Sequence, residues 1–226
     1  MSTTLSALRA RVYAIIGVNP GKEASGQYGE GHVIVALNTA QRFISKSAPV
    51  ASLGDLVKTA EHPIVVATTR GTPSFNKTST AGGRLLAVVK DTDFSDRVPI
   101  KSFDEWMDTA STEGLAVGDV RTYYAVELGR KVYIRPFPPI LPITFVEIYV
   151  DDTTDMVNLG DFMSMNDEWK EWVALCAAQI IALNANNYEK MGVIDGLMKG
   201  WSAQFRSVYG MNPPAIQAPV QAGREV

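Results

Sequence analysis

A single cysteine, Cys176, excludes an intrachain disulfide and with it the oxidised scaffolds that depend on several. Only two histidines occur, His32 and His62. Neither stands at a metal-ligand spacing from the other or from Cys176, so no metal or cofactor is expected. No apolar run approaches the length of a membrane span, and no membrane partner is expected. Neither sign of charge dominates. A formal net charge of −3 gives no general electrostatic pull toward nucleic acid. No internal repeat is present. What remains is ordinary globular composition, 46% hydrophobic over 226 residues, enough for one large domain or two small ones.

The charges are unevenly placed. Arg9, Arg11, Lys22, Arg42, Lys46 and Lys58 make the first part basic, whereas Asp151, Asp152, Asp155, Asp161, Asp167, Glu168 and Glu171 make a later part acidic. Such asymmetry suits head-to-tail contacts between copies, and solvated faces produce it too. Arg9 and Arg11 before VYAIIGV mimic a short secretory leader. Leu5 and Leu8 precede that run in helical register, which favours a helix.

Apolar spacing predicts a helix from Thr4 to Ile16, capped by Thr3 or Thr4 and ended by Gly17. After the Gly-rich NPGKEASGQYGEG, a second helix is predicted from about Gly31 to Lys46. Val33, Leu37, Ala40 and Ile44 form its stripe, with Asn38 and Gln41 near the edge. LGDLVKTA reads as one or two further helical turns. From Pro63 the texture changes to short β-branched and aromatic runs: PIVVATT, RLLAVVKD, YYAVEL, KVYIR and ITFVEIYV. YYAVEL and KVYIR read as a hairpin turning near Gly129, and Ser102 with Glu105 reads as the capping box of a short helix. After Asp151 the chain returns to helix. One is capped by Asn166 or Asp167 and carries Trp169, Trp172, Val173, Cys176, Ile180 and Leu183. The other runs from about Val193 to Tyr209 with Ile194, Leu197, Trp201, Phe205 and Val208, stopped by Gly210. The last residues, with Pro213, Pro214 and Pro219, cannot continue a helix and read as an extended tail.

The expected fold is α+β: a helical bundle from N- and C-terminal helix pairs, an inserted small antiparallel β subdomain and an extended C-terminal tail. The expected boundaries are 1–60, 61–150, 151–210 and 211–226.

No catalytic constellation emerges. Cys176 lies on an apolar helix face and reads as a buried small hydrophobe. Gly26, Gly29 and Gly31 resemble a phosphate loop only loosely, since no strand precedes them and no Lys-Ser/Thr pair follows. Asp91, Asp93 and Asp96 lack the glycine and distal glutamate of a calcium loop. The Asp151–Asp152–Asp155 cluster reads as a loop after the last strand. Trp169, Trp172 and Trp201 read as core. Gly196 and Gly200, one helical turn apart, would permit close approach of another helix.

Three stretches carry a family resemblance. They are TLSALRARVYAIIGV with GHVIVALNTAQRFISKSAP, then YYAVELGRKVYIRPFPPILPITFVEIYV, then NDEWKEWVALCAAQIIALNANN with its partner helix. Together they resemble the head-to-tail adaptor (connector, or tail-accessory) proteins of tailed bacteriophages, the short-tailed kind in particular. The resemblance runs from Thr4 to Tyr209 and rests on architectural patterns. It departs from the family form at PSFNKTSTAGGRLL. It implies a structural, non-enzymatic protein of the virion head–tail junction, present in host cytoplasm during assembly. Such a protein forms a ring, dodecameric to match the portal, that extends the channel for genomic DNA without sequence-specific binding. Its implied partners are the portal protein, a tail nozzle or tail-tube protein, and further copies of itself. By the same analogy Met211, Pro213, Pro214, Ile216, Pro219 and Val220 belong to a portal-binding arm. Pro136, Phe137 and Pro138, at the tip of a stiff proline loop, form a contact with the tail or a neighbouring subunit.

Two other classes compete. A small α+β enzyme would place its site at the Gly17–Gly31 loop and His62, and requires a pocket of convergent polar groups. A ligand-binding module would use the β subdomain around Phe137.

Overall fold

A computed structural model describes residues 3–19, 26–64, 74–78, 83–90, 96–112, 123–135, 142–210 and 212–214. Helix and antiparallel sheet are both present, an α+β composition. The chain divides into two compact units: residues 1–56 with 153–226, and residues 57–152.

The first unit holds α1 (Leu5–Ile16), α2 (Glu30–Ser47), α4 (Lys170–Asn184) and α5 (Tyr188–Tyr209). Thr4 caps α1 by accepting the Ala7 N–H, and Gly17 closes it in the left-handed region at φ 65°. Helix α4 packs against α1, α2 and α5. That position explains why it is apolar almost all round, with Trp172 through Ala178 buried without a break. Helix α5 begins at Tyr188, a turn and more before the predicted start, because Asn187 caps it by accepting the Lys190 N–H. Its predicted apolar face divides. Ile194, Met198 and Phe205 are buried, whereas Leu197 and Val208 are exposed. Among the described residues, nothing stands within 4 Å of where a side chain on Gly196 or Gly200 would be, so neither glycine serves a close approach to them. The predicted cap of α4 also differs. The Asn166 side chain makes no capping bond, Asp167 instead accepts the Thr3 hydroxyl at 2.5 Å, and a 3₁₀ turn over Asp167–Trp169 opens the helix.

The segment between residues 153 and 166 is tied to α2 by side chains imitating backbone. Asn38 donates to Met156 O at 2.9 Å and accepts from Met156 N at 3.0 Å. The fully buried Gln41 accepts from Ser164 N at 3.0 Å. The segment's far end lies along the start of α1, where Leu5 N donates to Asp161 O and Met163 N to Thr3 O.

The second unit contains two antiparallel sheets. One has the order β1 (Val57–Ile64), β7 (Ile143–Val150), β3 (Arg84–Lys90), β4 (Asp96–Val98). The other has the order β2 (Ser74–Asn76), β6 (Lys131–Arg135), β5 (Tyr124–Leu128). Phe75, Val88, Val98, Ala125, Val132, Ile134, Ile143 and Phe145 form one apolar cluster drawn from both sheets. The chain after β4 passes to the free edge of β5, where Ala125 N donates to Pro99 O and Lys101 N to Ala125 O. This pairing covers an edge that would otherwise stay open. The β5–β6 hairpin turns through Gly129 at φ 62°. Helix α3 (Phe103–Thr112) starts with the capping box read from sequence: Ser102 N donates to the Glu105 carboxylate at 3.1 Å, and Glu105 N to the Ser102 hydroxyl at 3.4 Å. That hydrogen bonding holds the Glu105 carboxyl below its ordinary range. LGDLVKTA is not further helix. A 3₁₀ turn at Gly54–Leu56 runs directly into β1, which pairs with β7 along its whole length, Val57 opposite Val150 and Ile64 opposite Ile143.

Candidate functional site

The positions implied as an arm fall at the end of α5. Gly210 terminates the helix in the left-handed region at φ 71° and lets the chain fold back. Arg206 then donates from Nε to Asn212 Oδ1 at 2.9 Å. Pro213 is buried, and the Trp172 indole donates to Pro214 O at 3.1 Å. The root of the arm is therefore held at its first residues. Met211, Ile216, Pro219 and Val220 lie outside the described residues, as do Pro136, Phe137 and Pro138 between β6 and β7.

Trp172 belongs to a larger aromatic group. Its ring stacks on Trp201 at 4.7 Å, with the planes inclined by 19°. Trp201 in turn stacks on Phe205 at 5.1 Å, Trp169 meets both, and Phe205 meets Tyr209 at 4.6 Å. Trp169 and Trp172 are buried as the sequence predicts, and Trp201 is half-buried. On one side of this group lies a cleft of about 330 Å³, walled by Trp169, Trp201, Phe205 and Tyr209. Glu168, Gln204 and Val208 complete its lining. The Tyr209 hydroxyl donates to Glu168, and that bond, aided by partial burial, raises the phenol above its ordinary value.

Part of the charge asymmetry seen in sequence is paired within the chain. Arg11 forms a two-nitrogen pair with Glu171, with Nε to Oε2 at 2.9 Å and Nη2 to Oε1 at 2.5 Å. Arg42 pairs with Asp155 at 2.5 Å, Lys58 with Asp151 at 2.6 Å, and Arg9 with Glu30. Arg11, Arg42 and Lys58 of the basic first part thus meet acids of the later part. Asp151 and Asp155 are tied to cations and do not converge as a cluster. Among the described residues, no three His, Cys, Asp or Glu side chains stand together as a metal site.

The β unit holds a polar arrangement that sequence reading missed. Glu147, on the central strand β7, is fully buried. Its Oε2 lies 2.9 Å from His62 Nε2 and accepts the Thr78 N–H at 2.9 Å. Burial pushes the Glu147 carboxyl upward, but the His62 and Thr78 hydrogen bonds outweigh it, leaving the group below the ordinary carboxylate range. The His62 ring stacks on Phe75 at 4.0 Å. A signal existed: Ile143, Phe145, Glu147 and Tyr149 share one strand face by alternation, so a carboxylate stood in an apolar row. The Thr78 hydroxyl also approaches His62, but at the same Nε2, 3.3 Å away. A nucleophile–base–acid relay needs its two partners on opposite ring nitrogens. This geometry is a clasp on one ring nitrogen and not that relay. Cys176 is buried, and burial pushes its thiol up to about 12.

No protein-family model matches the chain, and no curated protein matches it.

His62 belongs to the second unit, whereas Gly17 and the stretch leading to Gly31 belong to the first. The described part of that stretch is occupied by local contacts, with Tyr13 Oη donating to Tyr28 O at 3.1 Å and the Lys190 ammonium over the Tyr28 ring.

Proposed function

We propose that this chain is a structural virion protein that forms an adaptor ring between portal and tail and extends the DNA channel. In this reading α1, α2, α4 and α5 are a bundle forming the ring wall, and the contiguous β unit is an inserted subdomain that meets the tail or a neighbouring copy. The portal takes the C-terminal arm. The observation carrying the proposal is the pinned arm root. Trp172 and the Arg206–Asn212 contact fix the chain as far as Pro214. The described chain thus ends at a fixed point on the helical unit, which suits an arm offered to a partner. The sequence resemblance supplies the identity of that partner. Unlike the arm root, the paired surface charges and the clasp in the β unit have no bearing on which partner is bound.

The test is electron microscopy of the full chain mixed with portal-bearing particles. A ring of extra density against the portal is expected. Particles without it overturn the proposal. Within the same assay, a chain ending at Pro214 should keep its circular dichroism spectrum and lose co-sedimentation with portal rings. Unchanged co-sedimentation would remove the arm from the proposal and leave the ring.

A further inference from the structure

The outer face of the β2–β6–β5 sheet carries a group of side chains that the ring reading does not use. Val132 and Ile134 of β6 belong to the apolar cluster, so Tyr133 and Arg135 share the opposite face by alternation. Helix α3 lays Trp106 on that face. The Trp106 ring meets Tyr133 edge-on, with centroids 6.4 Å apart, and the Arg135 guanidinium lies over the same ring at 3.8 Å. Trp106 is only 5% exposed, yet its indole Nε1 has no acceptor among the described residues. Arg135 Nη1, equally shut off from water, has none either. A buried donor without an acceptor is costly and rare, and two on one stack point to an acceptor supplied from outside.

Arg135 also lacks a counter-charge. Arg11, Arg42, Lys58 and Lys77 each meet a carboxylate, whereas among the described residues none meets Arg135. Stacking on Trp106 occupies the face of the guanidinium and leaves its N–H edge, a flat fork that matches a planar acceptor with two oxygens. Apolar surface lies alongside. Phe103 and Met107, one turn apart on α3, flank Trp106 in sequence and are about half exposed, and the Phe103 ring faces Trp106 at 6.4 Å. We propose that this stack is a docking site for an acidic segment of another protein. One carboxylate of that segment closes on Arg135 and the Trp106 indole, and an apolar neighbour covers Phe103 and Met107. Arginine and tryptophan are the residue types that carry most of the energy at such interfaces. Because both nitrogens are sealed, docking displaces a side chain, and Phe103 is the one placed to move. The inference stands apart from the ring reading, since it uses only side chains within the β unit.

The test is NMR on the full chain. The Trp106 indole N–H signal, assigned by its loss in Trp106→Phe, is followed during titration with a short blocked peptide of alternating Glu and Leu. The same peptide with Gln in place of Glu is the control. The Glu peptide should move the signal saturably and the Gln peptide should not. Met107→Glu, at an exposed position, sets a like charge beside the site. It should weaken binding by about tenfold or more while leaving the melting temperature unchanged. A signal that stays in place overturns the proposal, as do equal shifts with the Gln peptide or equal binding by Met107→Glu. Sodium acetate at the same carboxylate concentration separates a docked segment from a simple anion. Acetate binding as tightly as the Glu peptide would overturn the segment.

Discussion

Asn38 grips the backbone of Met156 with both ends of its amide, Nδ2 to the carbonyl at 2.9 Å and Oδ1 to the N–H at 3.0 Å. A helix side chain thereby does what a neighbouring strand would do for an irregular segment. One turn further along, Gln41 accepts the Ser164 N–H. The two residues hold both ends of a connection that has no regular structure of its own.

Removing Asn38 should therefore cost more than a surface polar residue does. Asn38→Ala leaves both backbone groups of a part-buried residue without this partner, a loss of roughly 2 kcal/mol. Thr39→Ala, on the exposed side of the same helix, should cost well under that. Urea denaturation of the two variants makes the comparison, and equal midpoints would refute the clamp.

Glu147 should make the β unit acid-sensitive. Its folded pKa is depressed, so its contribution is fully present above the ordinary glutamate value of about 4.3 and disappears as pH falls through the lower folded value. Stability measured downward from pH 5 should fall more steeply in the unmodified chain than in Glu147→Gln, which has no proton to take up there. Parallel curves would show that the carboxylate is not held low.

Gly54 and Gly17 both sit at positive φ, 51° and 65°, but in different surroundings. Among the described residues, a side chain at Gly17 meets nothing within 4 Å, whereas one at Gly54 would fall 2.2 Å from Asn166 Nδ2. Gly17→Ala should cost the backbone term alone, about 1–2 kcal/mol. Gly54→Ala should cost more, and adding Asn166→Ala should recover the excess while leaving the backbone term. A thermal-melt double-mutant cycle with no coupling would show that the contact relaxes freely.

Trp172→Phe keeps a ring for Trp201 to stack on and removes the donor to Pro214 O. The fold should lose about 1 kcal/mol. Limited proteolysis after Gly210 should quicken, while cleavage elsewhere keeps its rate. Unchanged cleavage there would mean that the bond does not hold the arm root.

Much of this architecture could be read from residue order. The capping box at Ser102 and Glu105 and the turn at Gly129 are local devices, complete within a few residues, and both appear where the sequence places them. Helices α1 and α2 carry clean apolar stripes and were legible for that reason. Strand β1 was not. It is an edge strand with Lys58, Thr59 and Glu61 exposed, so it lacks the apolar alternation of a half-buried strand, and Leu53 and Leu56 before it favour a helical reading. The division of α5 into a buried and an exposed apolar side depends on where α4 lies, which no period encodes. The charge asymmetry was visible, but its use was not. Arg11 and Glu171 are distant in sequence, and only the packing of α1 on α4 brings them together.

The order in which these parts leave the ribosome differs from the order in which they can be finished. The β unit is one uninterrupted stretch, residues 57–152, and can complete its contacts while later residues are still being translated. Helices α1 and α2 emerge earlier but must wait. The helix both pack on, α4, begins only at Lys170, so the stripes of Leu5, Leu8, Val12, Val33 and Leu37 lack that cover until then. Closing the helical unit requires contacts between chain segments far apart in sequence. During that interval the nascent chain presents an apolar surface, and chaperone engagement should map to its first two helices.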